Sequence, residues 1–133
     1  MEVSDLLRKT SLFADLSDAE ITELTQSTRI ENYKTGHVII REGRVGAAFF
    51  IIVWGEVEVI KGIATEEPEV VSVLRASEFF GEIAVIKHGT RSASVKAIAD
   101  TTCLVIRRLD LDSYLDRYPM IAAKINEALA DRY

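Results

Sequence analysis

The sequence predicts a mainly β fold, an antiparallel jelly-roll β-barrel with α-helices at both ends, and three observations carry that expectation. Seven short β-rich segments, each bounded by glycine or acidic turns, fill the middle of the chain. Apolar residues at helical spacing occur only ahead of Thr28 and from Asp110 onward. The length, 133 residues with 48% hydrophobic content, suits one packed core. The expected organisation is a single domain over 1–133: N-terminal helices over 1–27, a β-roll over 28–109 and C-terminal helices over 110–133.

Taken in order, Val3, Leu6 and Leu7 form a weak helical patch, and Leu12, Phe13 and Leu16 connect it to a second helix. That helix opens on Ser17-Asp18-Ala19-Glu20, a capping-box pattern, with Ile21 and Leu24 on one face. The expected strands are Arg29–Tyr33, His37–Arg41, Phe49–Val53, Glu56–Ile60, Val70–Leu74, Ser92–Ala97 and Cys103–Arg107. Gly36, Gly43, Gly46 and Gly55 read as turn residues between them. The acidic run Thr65–Glu69 reads as a hairpin tip. Alternation in Ser92–Ala97 turns Ala93 and Val95 to the face opposite Ser92 and Ser94. Trp54, apolar and beside a turn, reads as a packing residue, and Cys103 as a buried strand residue. Asp110 caps a short helix through Tyr114 and Leu115, stopped by Pro119. In the last helix Ile121, Ile125 and Leu129 share a face that needs a partner: the chain's own barrel, a bound base or a second copy.

A net charge of −5 argues against nucleic-acid binding by this chain, because such affinity rests on clustered Lys and Arg. The basic residues are scattered, with Arg8-Lys9 and Arg107-Arg108 the adjacent pairs. No apolar run approaches the ~20 residues that cross a bilayer, and the start Met1–Asp5 lacks a secretory pattern. A single cysteine agrees with a reducing compartment, so the expected location is the cytoplasm. His37 and His88 have no metal-ligand spacing, and no nucleophile elbow is present, so neither a metal, a cofactor nor an enzymatic activity is implied.

The chemistry concentrates at 80–93, Phe80-Gly81-Glu82-Ile83-Ala84 through Arg91-Ser92-Ala93. Gly81 permits close backbone approach, and the amides after it can open a helix whose N-terminus favours an anion. Glu82 accepts hydrogen bonds from sugar hydroxyls, and Arg91 offers a permanently charged fork to a phosphate. A ligand with both hydroxyl and phosphate is indicated, and a nucleotide is the simplest. In the bland alternative, Arg91 bridges strand ends or pairs with Glu82. Val71 and Ser72, on the strand leading into this run, are placed to line a base pocket or to be ordinary core and rim.

This run resembles the phosphate-binding cassette of the cyclic nucleotide-binding domains, the family of the catabolite activator protein and protein kinase A regulatory subunits. Gly36–Gly43 and Gly46–Val57 are similar to the family's glycine-punctuated first half. The resemblance implies that Glu82 binds the ribose 2′-hydroxyl and Arg91 an exocyclic oxygen of the cyclic phosphate. It also implies that the amides of Ile83, Ala84 and Ala93 take the remaining oxygens, with Ser92 reaching the phosphate or the base. Three positions depart from the family pattern: Ser77 for a turn glycine, Ala47 for aspartate and Thr90 for proline. None removes a ligand-contacting group.

The resulting expectation is a signal-transduction module that binds cAMP or cGMP, with cAMP the preferred reading, and converts occupancy into movement of the C-terminal helices. A homodimer or a linked effector domain would receive that movement. The rivals are an assembly module with an empty cassette, and the sensor half of a transcription regulator whose helix-turn-helix lies beyond Tyr133.

Overall fold

The computed structural model describes residues 2–44, 48–81 and 93–132. Helix α1 (Val3–Arg8), a 3₁₀ turn (Ser11–Phe13) and α2 (Asp18–Thr25) precede eight strands. These are β1 (Thr28–Tyr33), β2 (Val38–Ile40), β3 (Ala48–Trp54), β4 (Glu56–Lys61), β5 (Glu69–Arg75), β6 (Phe79–Phe80), β7 (Ser94–Ala97) and β8 (Thr101–Arg107). Helices α3 (Arg108–Arg117) and α4 (Pro119–Arg132) follow.

The strands form two antiparallel sheets, ordered β1-β8-β3-β6 and β2-β7-β4-β5. First pairs with last, second with seventh, third with sixth and fourth with fifth. This is one long hairpin, turned at the tip between Lys61 and Glu69 and rolled so that β8 meets β3 and β7 meets β4. That order is the jelly roll. The sheets stay separate rather than closing into a barrel, since β2 and β6, at sheet edges, have three and two residues and pair on one side only.

Strand alternation divides the core in two. From β3 and β8, Phe49, Ile51, Leu104 and Ile106 face outward under a helical layer with Leu7, Leu12, Phe13, Ile21 and Leu24. Their neighbours Phe50, Ile52, Cys103 and Val105 face the interior of the roll with Val57, Val59, Leu74, Phe80 and Val95. Both strands are therefore buried on both faces, which explains their nearly unbroken apolar sequence.

The capping box at Ser17 forms as expected: the Glu20 amide donates to Ser17 Oγ at 3.2 Å and the Ser17 amide to Glu20 Oε1 at 2.8 Å. Helix α3 departs from expectation. It starts two residues before Asp110, with Arg107 in extended conformation as its N-cap and no side-chain cap. The strand runs straight into the helix, so Asp110 falls in the first turn and its carboxylate takes Arg107 Nε at 3.1 Å. Pro119 begins α4 at a position where its missing N–H costs nothing. Ile121 packs into the helical cluster beside Leu111 and Tyr114, so this part of the α4 face is covered by the chain itself. Trp54 also departs: it is 58% exposed, at the last position of β3 where the register of the β3–β8 pairing shifts. Cys103 is fully buried, and burial pushes its thiol pKa up to about 12.

Candidate functional site

Strand β6 was too short to show any period in the sequence, yet it fixes the chain just ahead of the predicted cassette. Phe80 pairs with Phe50 across the ladder, and their rings stack at 4.8 Å inside the roll. Phe79 points the other way, 5.5 Å from Phe49 in the helical cluster. Two adjacent aromatics thus grip both cores. Gly81 follows with φ +86°, a conformation that L-residues rarely adopt.

Glu82, Ile83, Ala84, Arg91 and Ser92 lie outside the described residues, as do Gly46, Ala47, His88 and Thr90. At Ala93 the chain is described again, half-buried against the interior cluster that also holds Phe80 and Val95. The segment therefore leaves from the edge of one sheet and returns to the middle of the other. Both its ends are anchored on one apolar interior.

Across from β7, strand β5 carries a bulge. Val59 pairs with Ser72 but Ile60 with Val70, so Val71 is the extra residue. Val71 is 40% exposed at this sheet edge, as is its neighbour Val70 at 50%. Of the predicted site residues, the structure thus brings Phe80 and Ala93 onto one interior cluster, and places Val71 on the rim.

Two features lie near the cassette, the first of which escaped the sequence reading. The first is a polar tie: the Glu42 amide donates to Ser94 Oγ at 2.9 Å, and Glu42 Oε1 accepts from the Gly62 amide at 3.1 Å. These partners are far apart in sequence, so no local pattern could reveal the tie. The alternation of Ser94 away from Val95 was the available signal. The second is the turn before β6, where Ser77, read from the sequence as standing in place of a turn glycine, holds φ +77° while its amide donates to the Ile52 carbonyl at 2.9 Å.

On the helical side, Arg117 reaches from the end of α3 to both carboxylate oxygens of Glu23 in α2, with Nη2 to Oε2 at 2.7 Å. Its guanidinium also lies 5.7 Å and 5.2 Å from the Tyr114 and Tyr118 ring centroids. The Arg117 hydrogen bonds hold the Glu23 carboxyl below its ordinary range. Lys124 of α4 pairs with Asp15 at 2.7 Å. The C-terminal helices are tied to the N-terminal ones.

A jelly roll of two antiparallel sheets backed by one helical layer, with Phe80 and Ala93 on one interior cluster, is the class of fold this chain defines. The family model for the cyclic nucleotide-binding domain matches residues 30–118, and the chain belongs to that family. It is similar to a candidate potassium channel protein of Rhodopseudomonas palustris, 34% identical over 96% of this chain and 30% of that protein. With cGMP-dependent protein kinase 2 of Mus musculus it shares 37% identity over 80% of this chain and 14% of the kinase. Among solved structures, Thermus thermophilus catabolite activator protein superposes with a TM-score of 0.79 at 28% identity, covering 91% of this chain and 57% of that one. The chain spans a third or less of these curated relatives' length. Among the described residues no helix is long and apolar enough to cross a membrane.

Proposed function

We propose that this domain is a non-enzymatic sensor, one module over 1–133, that binds cAMP or cGMP and returns the ligand unchanged. The observation that carries the reading is the segment Gly81-Glu82 to Arg91-Ser92-Ala93 within a family match over residues 30–118. Arg91 is the phosphate ligand, Glu82 the ribose ligand, and the amides of Ile83, Ala84 and Ala93 complete the anion site. Gly81 admits the phosphate close to the backbone, Phe80 holds the cassette to the roll, and Val71 with Ser92 faces the base.

Binding draws the cassette inward on its Phe80 anchor, and the paired Phe79 passes that displacement to the helical layer. Helices α3 and α4 then repack toward the pocket, in competition with the Arg117–Glu23 tie. A ligand can shift this balance only by the difference of its affinities for the two arrangements. The α4 helix is the output to a second copy or to an effector domain in the cytoplasm.

A second reading, that the site takes a nucleoside without a cyclic phosphate, has support in a neighbour: the regulatory subunit of a cAMP-independent protein kinase A from Trypanosoma cruzi bound to guanosine, 26% identical with a TM-score of 0.80. Calorimetric titration with cAMP, cGMP and guanosine separates the two. The cyclic nucleotide reading expects saturable heat with cAMP or cGMP and a weaker response to guanosine. Heat from guanosine alone would leave the nucleoside reading in its place, and no heat from any of the three at high micromolar concentration the assembly-module reading.

A further inference from the structure

The tie made by Glu42 sits where the ladder around β7 runs out. Strand β7 is flanked by β2 on one side and β4 on the other. Its last pair with β2 is Ile40–Val95, and its last with β4 is Ile60–Ser94. Beyond these pairs no ladder bond among the described residues holds the start of β7, and this is the end from which residues 91–93 emerge. Glu42 spans that gap. Its amide, just past β2, is satisfied by the Ser94 hydroxyl, and its carboxylate takes the Gly62 amide, just past the end of β4. The loop after β2 thus arches over β7 and is fastened to the strand on either side. Ser94 is fully buried, so its hydroxyl is held in one place.

We infer that Glu42 is a positioning residue for nucleotide binding: its carboxylate fastens the loop after β2 to the Gly62 amide, so that the residue 42 amide is held on Ser94 and the start of β7, which follows Arg91 and Ser92 in the sequence, is set. The inference rests on the cyclic nucleotide reading above. The part played by Glu42 is that of a hydrogen-bond acceptor, so its negative charge is dispensable. Glutamine keeps an acceptor oxygen for the Gly62 amide, whereas alanine leaves that amide to water and releases the loop from the end of β4, while the residue 42 amide keeps its bond to Ser94.

The test is a titration series with cAMP and cGMP on wild type, Glu42→Ala, Glu42→Gln and Ser94→Ala, each also built on an Arg91→Lys background. Thermal midpoints without nucleotide check that every variant is folded. Glu42→Ala is expected to weaken binding about three- to tenfold, the worth of one hydrogen bond. Glu42→Gln is expected to bind like wild type, and the loss from Glu42→Ala to shrink on the Arg91→Lys background because the two residues act in series. Ser94→Ala breaks the other bond of the tie, the one accepted from the residue 42 amide, and carries the same expectation if Glu42→Ala does not fold. Wild-type-like affinity in Glu42→Ala and Ser94→Ala overturns the inference alone. So does a Glu42→Gln loss as large as that of alanine, which would make the charge the active feature, or a loss of equal size on both backgrounds. Wild type that binds neither nucleotide overturns the cyclic nucleotide reading, and the inference with it.

Discussion

Ser77 holds a left-handed backbone conformation whose steric cost for an L-residue is about 1–2 kcal/mol. Glycine avoids that cost but loses roughly 0.5–1 kcal/mol more in chain entropy on folding. Ser77→Gly is therefore expected to raise stability by up to about 1 kcal/mol, read as a higher urea midpoint at unchanged slope. An unchanged or lower midpoint would show that the serine is relaxed in this turn. Cys103 allows a second check at this scale: buried, with its thiol pushed up to about 12, it should stay unmodified by alkylating reagents until the protein unfolds. Single residues were readable where chemistry and pattern agreed. Cys103 sits in an apolar strand, and the sequence Thr102–Ile106 already said so. Trp54 was misread because its apolar character favours packing, while the register shift that leaves it exposed at the end of β3 is a tertiary fact.

At the scale of elements, the helix pair α2–α3 is joined by the bidentate Arg117–Glu23 contact. Glu23 is depressed below its ordinary value of 4.5 chiefly by the Arg117 hydrogen bonds, so its contribution is present above that value and is lost as pH falls through the lowered folded one. Glu20 is lowered by its capping bond from the Ser17 amide, and Asp100 by the Thr35 amide, with the same sign. Thermal midpoints should therefore fall as the solution is taken below about pH 4.5, and Glu23→Gln should flatten that fall. A slope identical to wild type would show that the contact contributes nothing in solution, as exposed ion pairs often do. Element types followed from periodicity: every long strand and the Ser17 helix start were legible. The two-residue β6 has no period to read. The start of α3 was placed late because Asp110 is a good capping residue, whereas continuity with β8 and burial of Leu111 and Tyr114 set the actual boundary.

Across the whole molecule, the jelly-roll order places both ends of the cassette segment on one interior while the helical layer lies behind the β3–β8 wall. The roll class was legible from the count and spacing of strands. The separation of the core into a helical half and an interior half was not, since it depends on which face of β3 and β8 each residue takes. The polar tie of Glu42 and the clamp of Arg117 were hidden for the same reason: their partners come together only when the hairpin rolls up. The residues proposed as ligands, Gly81, Glu82, Arg91 and Ser92, could be singled out because they are close in sequence and each has its own chemistry.

A ligand that binds only the folded form raises the thermal midpoint by an amount that grows with the logarithm of its concentration over its dissociation constant, so the same preparations report binding and stability together. The central claim is that Arg91 supplies the phosphate contact for a cyclic nucleotide. Calorimetric titration of wild type and Arg91→Ala with cAMP and cGMP tests it directly. The account predicts saturable binding by wild type to at least one of them, and affinity at least about tenfold weaker in Arg91→Ala with an unchanged thermal midpoint in the absence of ligand. Equal affinity in the two proteins would contradict it.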